Sequence, residues 1–435
     1  MAREWLESIV DMRRGELIPS LMAAAMFFCL LCGYFLLRPL RDALGLEGGV
    51  DSLHGLFLAT VGVMIVGNVA YGFVAARVPR TVLVPAVYLF ALASLAVFLV
   101  YVVPGGKASA TVGRVFYVWL SVFNLFAVSV FWSLLADVFT LEQGKRLFGF
   151  IGAGGTGGAI TGSFFAWTWV KTIGPAGLMG VAAGLIALTA VLALLLSRRA
   201  TRTGRPGAAV GGASWAGLTR LFSSPYLAGI GTMVLLFTIT STLLYFEKAR
   251  IISLAVEGQD ERASLFAGIE FAAQTLTILL QIFLTGRLMR WLGVGVMLAV
   301  VPLISIGGFT ALGLVPTLTV VTIFEVTRRA SNFALTKPAR ETLFTVVPRQ
   351  DKYKAKAAID TFVYRGGDTV GALADQGIAA MGWVIAAVAV PVGVVGVALA
   401  WWLGRAERRM DRETKVELES ETPDQERDRH AAIAS

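Results

Sequence analysis

The sequence predicts an all-α membrane protein of about twelve transmembrane helices, arranged as two pseudo-symmetric six-helix halves. Three observations predict it. Of 435 residues, 56% are hydrophobic and 15% charged, and mean hydropathy is +0.72; soluble domains carry about 25% charged residues. Apolar runs long enough to cross a bilayer recur from residue 17 to residue 404. The same loop elements return about half a chain apart. The composition excludes a soluble enzyme, a nucleic-acid reader and a disordered chain. The recurrence of the runs excludes a single anchor on a soluble domain.

Residues 1–16 set Trp5, Leu6, Ile9, Val10 and Met12 against Arg3, Glu4, Asp11, Arg13 and Arg14. This pattern predicts a short helix lying on the membrane surface. The run over 17–37 is too long for a signal-peptide core and ends in Tyr34-Phe-Leu-Leu-Arg38-Pro39, not in a small-residue cleavage site. Spans of about 20 residues follow at 53–76, 81–103, 114–139, 147–170, 176–197, 226–246, 263–286, 291–313, 316–336, 357–380 and 383–404. Pro39 is expected to interrupt the first helix at its end.

Loop charge orients these spans. With the N-terminus inside, inner segments hold Arg77 and Arg80, Lys145 and Arg146, the arginines of 198–220, Arg287 and Arg290, the basic residues of 337–356 and those beyond Arg405. Outer segments hold Arg38, Arg41, Lys107, Arg114, Lys171, Lys248, Arg250 and Arg262. The bias is roughly threefold inward and predicts cytoplasmic termini. It also accounts for the net charge of +9 without a nucleic-acid partner.

The expected organisation is therefore an interfacial segment (1–16), an N-terminal half (17–197), a cytoplasmic loop rich in Gly and Arg (198–225), a C-terminal half (226–404) and a charged cytoplasmic tail (405–435). The halves share signals. Arg77 and Arg80 follow span two, and Arg287 and Arg290 follow span eight. Phe139-Thr140, Lys145-Arg146 and Gly154-Gly155-Thr-Gly-Gly158 follow span four. Phe344-Thr345, Lys354-Ala-Lys356 and Gly366-Gly367-Asp-Thr-Val-Gly371 follow span ten. A duplicated six-span unit around a central cavity is the major facilitator architecture, with its site near the midplane.

Ionisable groups inside spans cost about 2.5–3.5 kcal/mol each on insertion scales, so each needs a reason. Asp137 ends span four, Glu270 sits in span eight, Glu325, Arg328 and Arg329 in span ten, and Asp360, Arg365, Asp368 and Asp375 in span eleven. Two readings stand. Glu325 with Arg328 or Arg329, and Asp368 with Arg365, neutralise one another within their helices. Or the surplus lines a wet cavity and binds a charged solute. Arg38 and Arg41 lie three apart on the side that should be poor in arginine. Either their guanidinium forks hold phosphate, or an Arg–Asp42 pair anchors the helix end at headgroups.

The run Gly149-Phe-Ile-Gly152-Ala-Gly154-Gly155-Thr-Gly157-Gly158 lacks the Gly-Lys-Ser/Thr of a phosphate loop. Its spacing predicts close helix packing. Cys29 and Cys32 read as small packing residues. No metal or other cofactor is expected. Nothing pairs a nucleophile with a base, and the two histidines, His54 and His430, lie apart, so no enzyme is expected.

Four ordered blocks carry a family resemblance. They are Leu37-Arg38-Pro-Leu-Arg41-Asp42-Ala-Leu44; Phe131-Trp132-Ser-Leu-Leu-Ala-Asp137-Val-Phe-Thr140 with Gly144-Lys145-Arg146-Leu-Phe148; Phe333-Ala-Leu335-Thr-Lys-Pro338-Ala-Arg340-Glu341; and Lys354-Ala-Lys356-Ala-Ala-Ile359-Asp360. They resemble the nucleotide (ATP/ADP) translocase family of plastids and obligate intracellular bacteria, in its short bacterial branch within the major facilitator superfamily. That resemblance implies exchange of nucleotides across a membrane. It carries the family's lysine at the end of span one onto Arg41, its acidic or amide residue of span four onto Asp137, and its acidic residue of span seven near Glu247. Its span-eleven lysine falls on Asp368, with Arg365 one turn earlier.

Two further expectations follow, the first resting on that resemblance. Arg38, Arg41, Asp137, Lys145, Arg340, Arg365 and Asp368 are expected to contact a small anionic solute such as ATP or ADP. Glu247, Glu325, Arg328, Arg329 and Asp360 are expected to gate or couple. A monomer in a bacterial inner membrane is expected. The alternatives are a proton-coupled facilitator for another solute, in which buried carboxylates titrate, and a non-transporting receptor on the same fold.

Overall fold

The computed structural model describes residues 13, 15–75, 77–102, 109–202, 221, 224–347, 355–356 and 358–433. The surface helix expected over 1–16 and the inter-half loop fall largely outside these residues, as does the Lys145 side chain. The regular structure of the described residues is helical: α1 (Leu17–Gly45), α2 (Val50–Ala75), α3 (Arg80–Val102), α4 (Ala110–Val138), α5 (Leu141–Arg202), α6 (Pro225–Ala255), α7 (Gln259–Leu280), α8 (Gly286–Leu314), α9 (Leu318–Ser331), α10 (Lys337–Leu343), α11 (Tyr364–Ala380) and α12 (Ala386–Ile433). π-Helical turns at Gln281–Thr285, Asn332–Thr336 and Ile359–Val363 join α7 to α8, join α9 to α10 and lead into α11.

Eight helical stretches of the described residues are long and apolar enough to cross a membrane. Two of them, Arg146–Arg199 and Gln259–Leu314, run to 54 and 56 residues. At 1.5 Å per residue each is about 80 Å long, more than twice a hydrocarbon core of about 30 Å. Each turns back on itself at a glycine with positive φ, Gly174 (67°) and Gly293 (73°), a conformation that a side chain disfavours. Both therefore cross twice. The continuous α9–α10 and α11 complete twelve crossings. Their low hydropathy comes from Glu325, Arg328, Arg329, Arg365 and Asp368.

One local expectation is corrected. Pro39 does not end the first helix; it lies buried inside α1, which continues to Gly45. The missing N–H costs one hydrogen bond near the helix end. Packing on α4 holds the last turn: a Cβ on Gly113 would lie 2.7 Å from Leu44 O, and one on Gly45 would lie 2.8 Å from the Tyr117 ring.

The chain forms two compact units. One comprises Met1–Gly211 with Lys248–Thr275; the other comprises Gly212–Glu247 with Leu276–Ser435. The end of α6 and most of α7 thus cluster with the first unit.

In the first unit, the glycine-rich run packs α5 onto α1. Gly154, Gly158 and Gly162 follow at four-residue spacing, and a Cβ on them would meet the carbonyl oxygens of Ala24, Phe28 and Cys32 in turn. Without side chains the two backbones touch, which is how van der Waals packing replaces hydrophobic drive in lipid. α5 itself starts with a reciprocal cap: Thr140 N donates to Gln143 Oε1 (2.9 Å) and Gln143 N donates to Thr140 Oγ1 (3.2 Å).

In the second unit the same device recurs. Gly367 and Gly371 bring α11 against α6, where a Cβ would press on Thr238 and Thr242. Gly295 and Gly404 cross α8 on α12, where a Cβ on either would press on the Cα of the other. The core around this crossing includes Ile230, Met297, Leu298, Leu343 and Leu403, all buried.

Candidate functional site

Because α1 stays helical through Pro39, Arg38 and Arg41 leave it one turn apart and meet different neighbours. Arg41 turns onto its own helix and α4. Its Nε and Nη2 donate to Asp42 Oδ1 (3.0 and 2.6 Å), and its Nη1 donates to Ser121 Oγ (3.2 Å). Its guanidinium carbon lies 4.9 Å from the centre of the Tyr117 ring. The Arg–Asp42 pair foreseen as one alternative is therefore present.

Arg38 reaches α7. Its Nη1 donates to Glu270 Oε1 at 3.2 Å, and Gln274 Nε2 donates to the same oxygen at 3.1 Å. Its side chain is 24% exposed, while its Nε is buried and has no hydrogen-bond partner among the described residues. A buried charged donor without an acceptor is rare, and each instance calls for an explanation.

The other carriers of charge lie in the second unit. Glu325 accepts from Arg329 Nη2 at 2.5 Å, one turn along α9. Arg328, 4% exposed, makes no such pair. Among the described residues it donates to neutral oxygens only: Ser305 Oγ from Nε (2.9 Å), Ser241 Oγ from Nη1 (2.9 Å), and Phe237 O (3.1 Å) and Thr240 Oγ1 (2.9 Å) from Nη2. α9 thus holds two guanidiniums against one carboxylate. A crevice lined by Phe237, Thr240, Ser305, Val392 and Gly396 opens beside the groups that hold Arg328.

On α11, Arg365 Nη1 donates to Asp368 Oδ2 at 3.0 Å, and Thr242 Oγ1 of α6 donates to Asp368 Oδ1 at 3.4 Å. The glycines at 367 and 371 allow this approach. Arg340 on α10 is half-buried and has no hydrogen bond or ion pair to the described residues. Asp137 is buried in the last turn of α4, Glu247 is half-buried near the end of α6, and Asp360 is exposed in the π-helical turn before α11.

The expected residues thus fall into three groupings: Arg38 and Arg41 at the end of α1, Glu325, Arg328 and Arg329 on α9, and Arg365 with Asp368 on α11. Several participants escaped the sequence-based site. Glu270 was visible as an ionisable group in a span, but nothing in the sequence linked it to Arg38. Gln274, one turn beyond it, was a further signal. The seat of Arg328 was foreshadowed by the hydroxyl run Thr238, Thr240, Ser241 and Thr242 in an apolar span.

No protein-family model matches the chain, and no curated protein matches it. Solved structures do match in fold. A bacterial homologue of the iron transporter ferroportin, in an inward-facing state, superposes with a TM-score of 0.65 at 11% identity over 89% of this chain and 99% of that one. An auto-inhibited peptide transporter of the POT family gives 0.59 at 13%, over 91% and 96%. The nucleoside transporter NupG, in a mutant form, gives 0.56 at 13%, over 90% and 99%. The chain has the fold of major facilitator proteins.

Proposed function

We propose that this chain is a membrane transporter for a phosphate-bearing anion, a nucleotide of the ATP/ADP type or another phosphorylated solute, which it exchanges by alternating access. Arg38 carries the reading. Its guanidinium commits one N–H to Glu270 and keeps a buried Nε without an acceptor. An anionic oxygen would satisfy that donor, since guanidinium forks match phosphate. The in-span arginines Arg328, Arg340 and Arg365 add positive potential to the C-terminal spans. The likeness to solute transporters supports the class; the four sequence blocks support the nucleotide.

In this mechanism the solute's phosphate competes with Glu270 for Arg38, so loading loosens the ion pair and couples occupancy to movement. Arg365–Asp368 and Arg329–Glu325 act in the same way as exchangeable pairs. The protein would work as a monomer in a bacterial inner membrane with both termini cytoplasmic.

The test is uptake of labelled ATP by purified protein in liposomes, preloaded with ADP or left empty, at matched pH. Uptake that requires internal ADP is expected, with loss in Arg38→Gln. Equal uptake by that variant would overturn the role of Arg38. A second reading, proton-coupled transport of another solute, is favoured by Asp375, whose side chain is almost wholly buried in α11. It predicts uptake driven by a pH gradient with nothing inside.

A further inference from the structure

The α8–α12 crossing has a second property. Gly295 and Gly404 bring the two helices into backbone contact, and the chain turns at Gly293 just before it. Arg408 Nη1 lies 4.0 Å from where a side chain on Gly293 would begin. Trp291 and Arg290 are two and three residues upstream of that turn, so consecutive Cα spacing of about 3.8 Å keeps them within reach. Both are exposed, as is Arg287. On α12 the exposed positions 401, 405, 408 and 412 form one stripe, Trp401, Arg405, Arg408 and Arg412. Arg405 stacks on Trp401, with 3.4 Å from guanidinium carbon to ring centre.

Arg287, Arg408 and Arg412 have no ion pair among the described residues, and Arg290 bonds only its own helix, at Gly286 O (3.2 Å). Of the acidic residues of this stretch, Glu407 and Asp411 lie on the half-buried side of α12, and the exposed Glu413 lies 3.7 Å from Arg409, off the stripe. The exposed face is therefore cationic, with indole rings at the level where the apolar run of α12 ends. Tryptophans concentrate at that boundary, and basic clusters there attract anionic headgroups. The π-helical turn that leads into α8 leaves Ile282, Phe283 and Leu284 exposed, an apolar patch for acyl chains next to Arg287 in sequence.

We propose that this crossing is a binding site for an anionic phospholipid, its phosphate held by Arg287, Arg290 and Arg408 and its glycerol region against Trp291 and Trp401. The occupant is a lipid and not a free anion, because the indoles and the apolar patch extend the site into the bilayer.

Native mass spectrometry of the full chain, exchanged into equal amounts of phosphatidylglycerol and phosphatidylcholine, tests this. Wild-type protein is expected to retain phosphatidylglycerol preferentially. Each of Arg287→Gln, Arg290→Gln and Arg408→Gln is expected to lower that preference about fivefold, as loss of one basic residue near an anionic surface implies. Thermal stability in pure phosphatidylcholine serves as the folding control. Equal retention of the two lipids by wild-type protein would overturn the proposal. So would an undiminished preference in the folded triple variant, or displacement of the lipid by millimolar glycerol phosphate, which would mark a free-anion site.

Discussion

A guanidinium has five N–H donors. Arg41 directs three of them to Asp42 and Ser121, whereas Arg38 directs one to Glu270 and leaves its Nε unmet. Arg38→Lys keeps the charge and removes that donor. A hydrogen bond to a charged group is worth about 1.5–3 kcal/mol, so solute affinity is expected to fall roughly 10- to 100-fold, read as a rise in the uptake KM. Arg41→Gln, by contrast, is expected to lower the unfolding temperature more than the affinity. Glu16 supplies a pH prediction. Burial pushes its carboxyl up, but the Arg146 fork, the Arg13 N–H and the Gln143 amide together hold it below the ordinary glutamate range. A depressed folded value stabilises above the unfolded pKa of about 4.3 and is lost as pH falls through the folded one. The unfolding temperature of wild-type protein should therefore drop more steeply below about pH 4.3 than that of Glu16→Gln; parallel curves would remove Glu16 from the balance. What the sequence displayed of these residues was their cost in a membrane. Which partner each one meets was hidden, because Glu270 lies 232 positions from Arg38 and no local spacing encodes such a pair.

Helix pairs divide the glycines into those that touch a neighbour and those that do not. Gly158 and Gly371 face the backbone or a β-carbon of an adjacent helix, while a Cβ on Gly152 would meet nothing within 4 Å. Gly158→Leu and Gly371→Leu are expected to cost at least the 1–3 kcal/mol typical of overpacking, since a helix backbone cannot step aside. Gly152→Ala should be neutral or stabilising by up to about 1 kcal/mol, from helix propensity. Thermal unfolding in detergent distinguishes the two classes. These glycines were legible in the sequence because four-residue spacing survives any register. The three π-helical turns were not: one extra residue in a turn leaves no mark in an apolar run. Nor was the passage of α1 through Pro39, which depends on the close contact of Gly45 with Tyr117 of α4 and of Gly113 of α4 with Leu44.

For the molecule entire, twelve spans, two repeats and their order could be read from hydropathy, loop charge and the paired glycine motifs. The grouping into compact units could not. Lys248–Thr275 belongs by sequence to the second half and by contact to the first unit. A fragment ending at Gly211 lacks that stretch, so it should be recovered in lower yield, and unfold at lower temperature, alone than when co-expressed with the remainder of the chain. Equal behaviour would show that those contacts contribute little. The setting of Arg328 also bears on how the protein is made. An arginine entering a bilayer unaccompanied costs about 2.5–3.5 kcal/mol, and α9 brings two. The oxygens that receive Arg328 belong to α6 and α8, both of which leave the ribosome earlier. Biogenesis in that order delivers the charged segment to a seat already built, and α9 enters the bilayer as a dependent of helices synthesised before it.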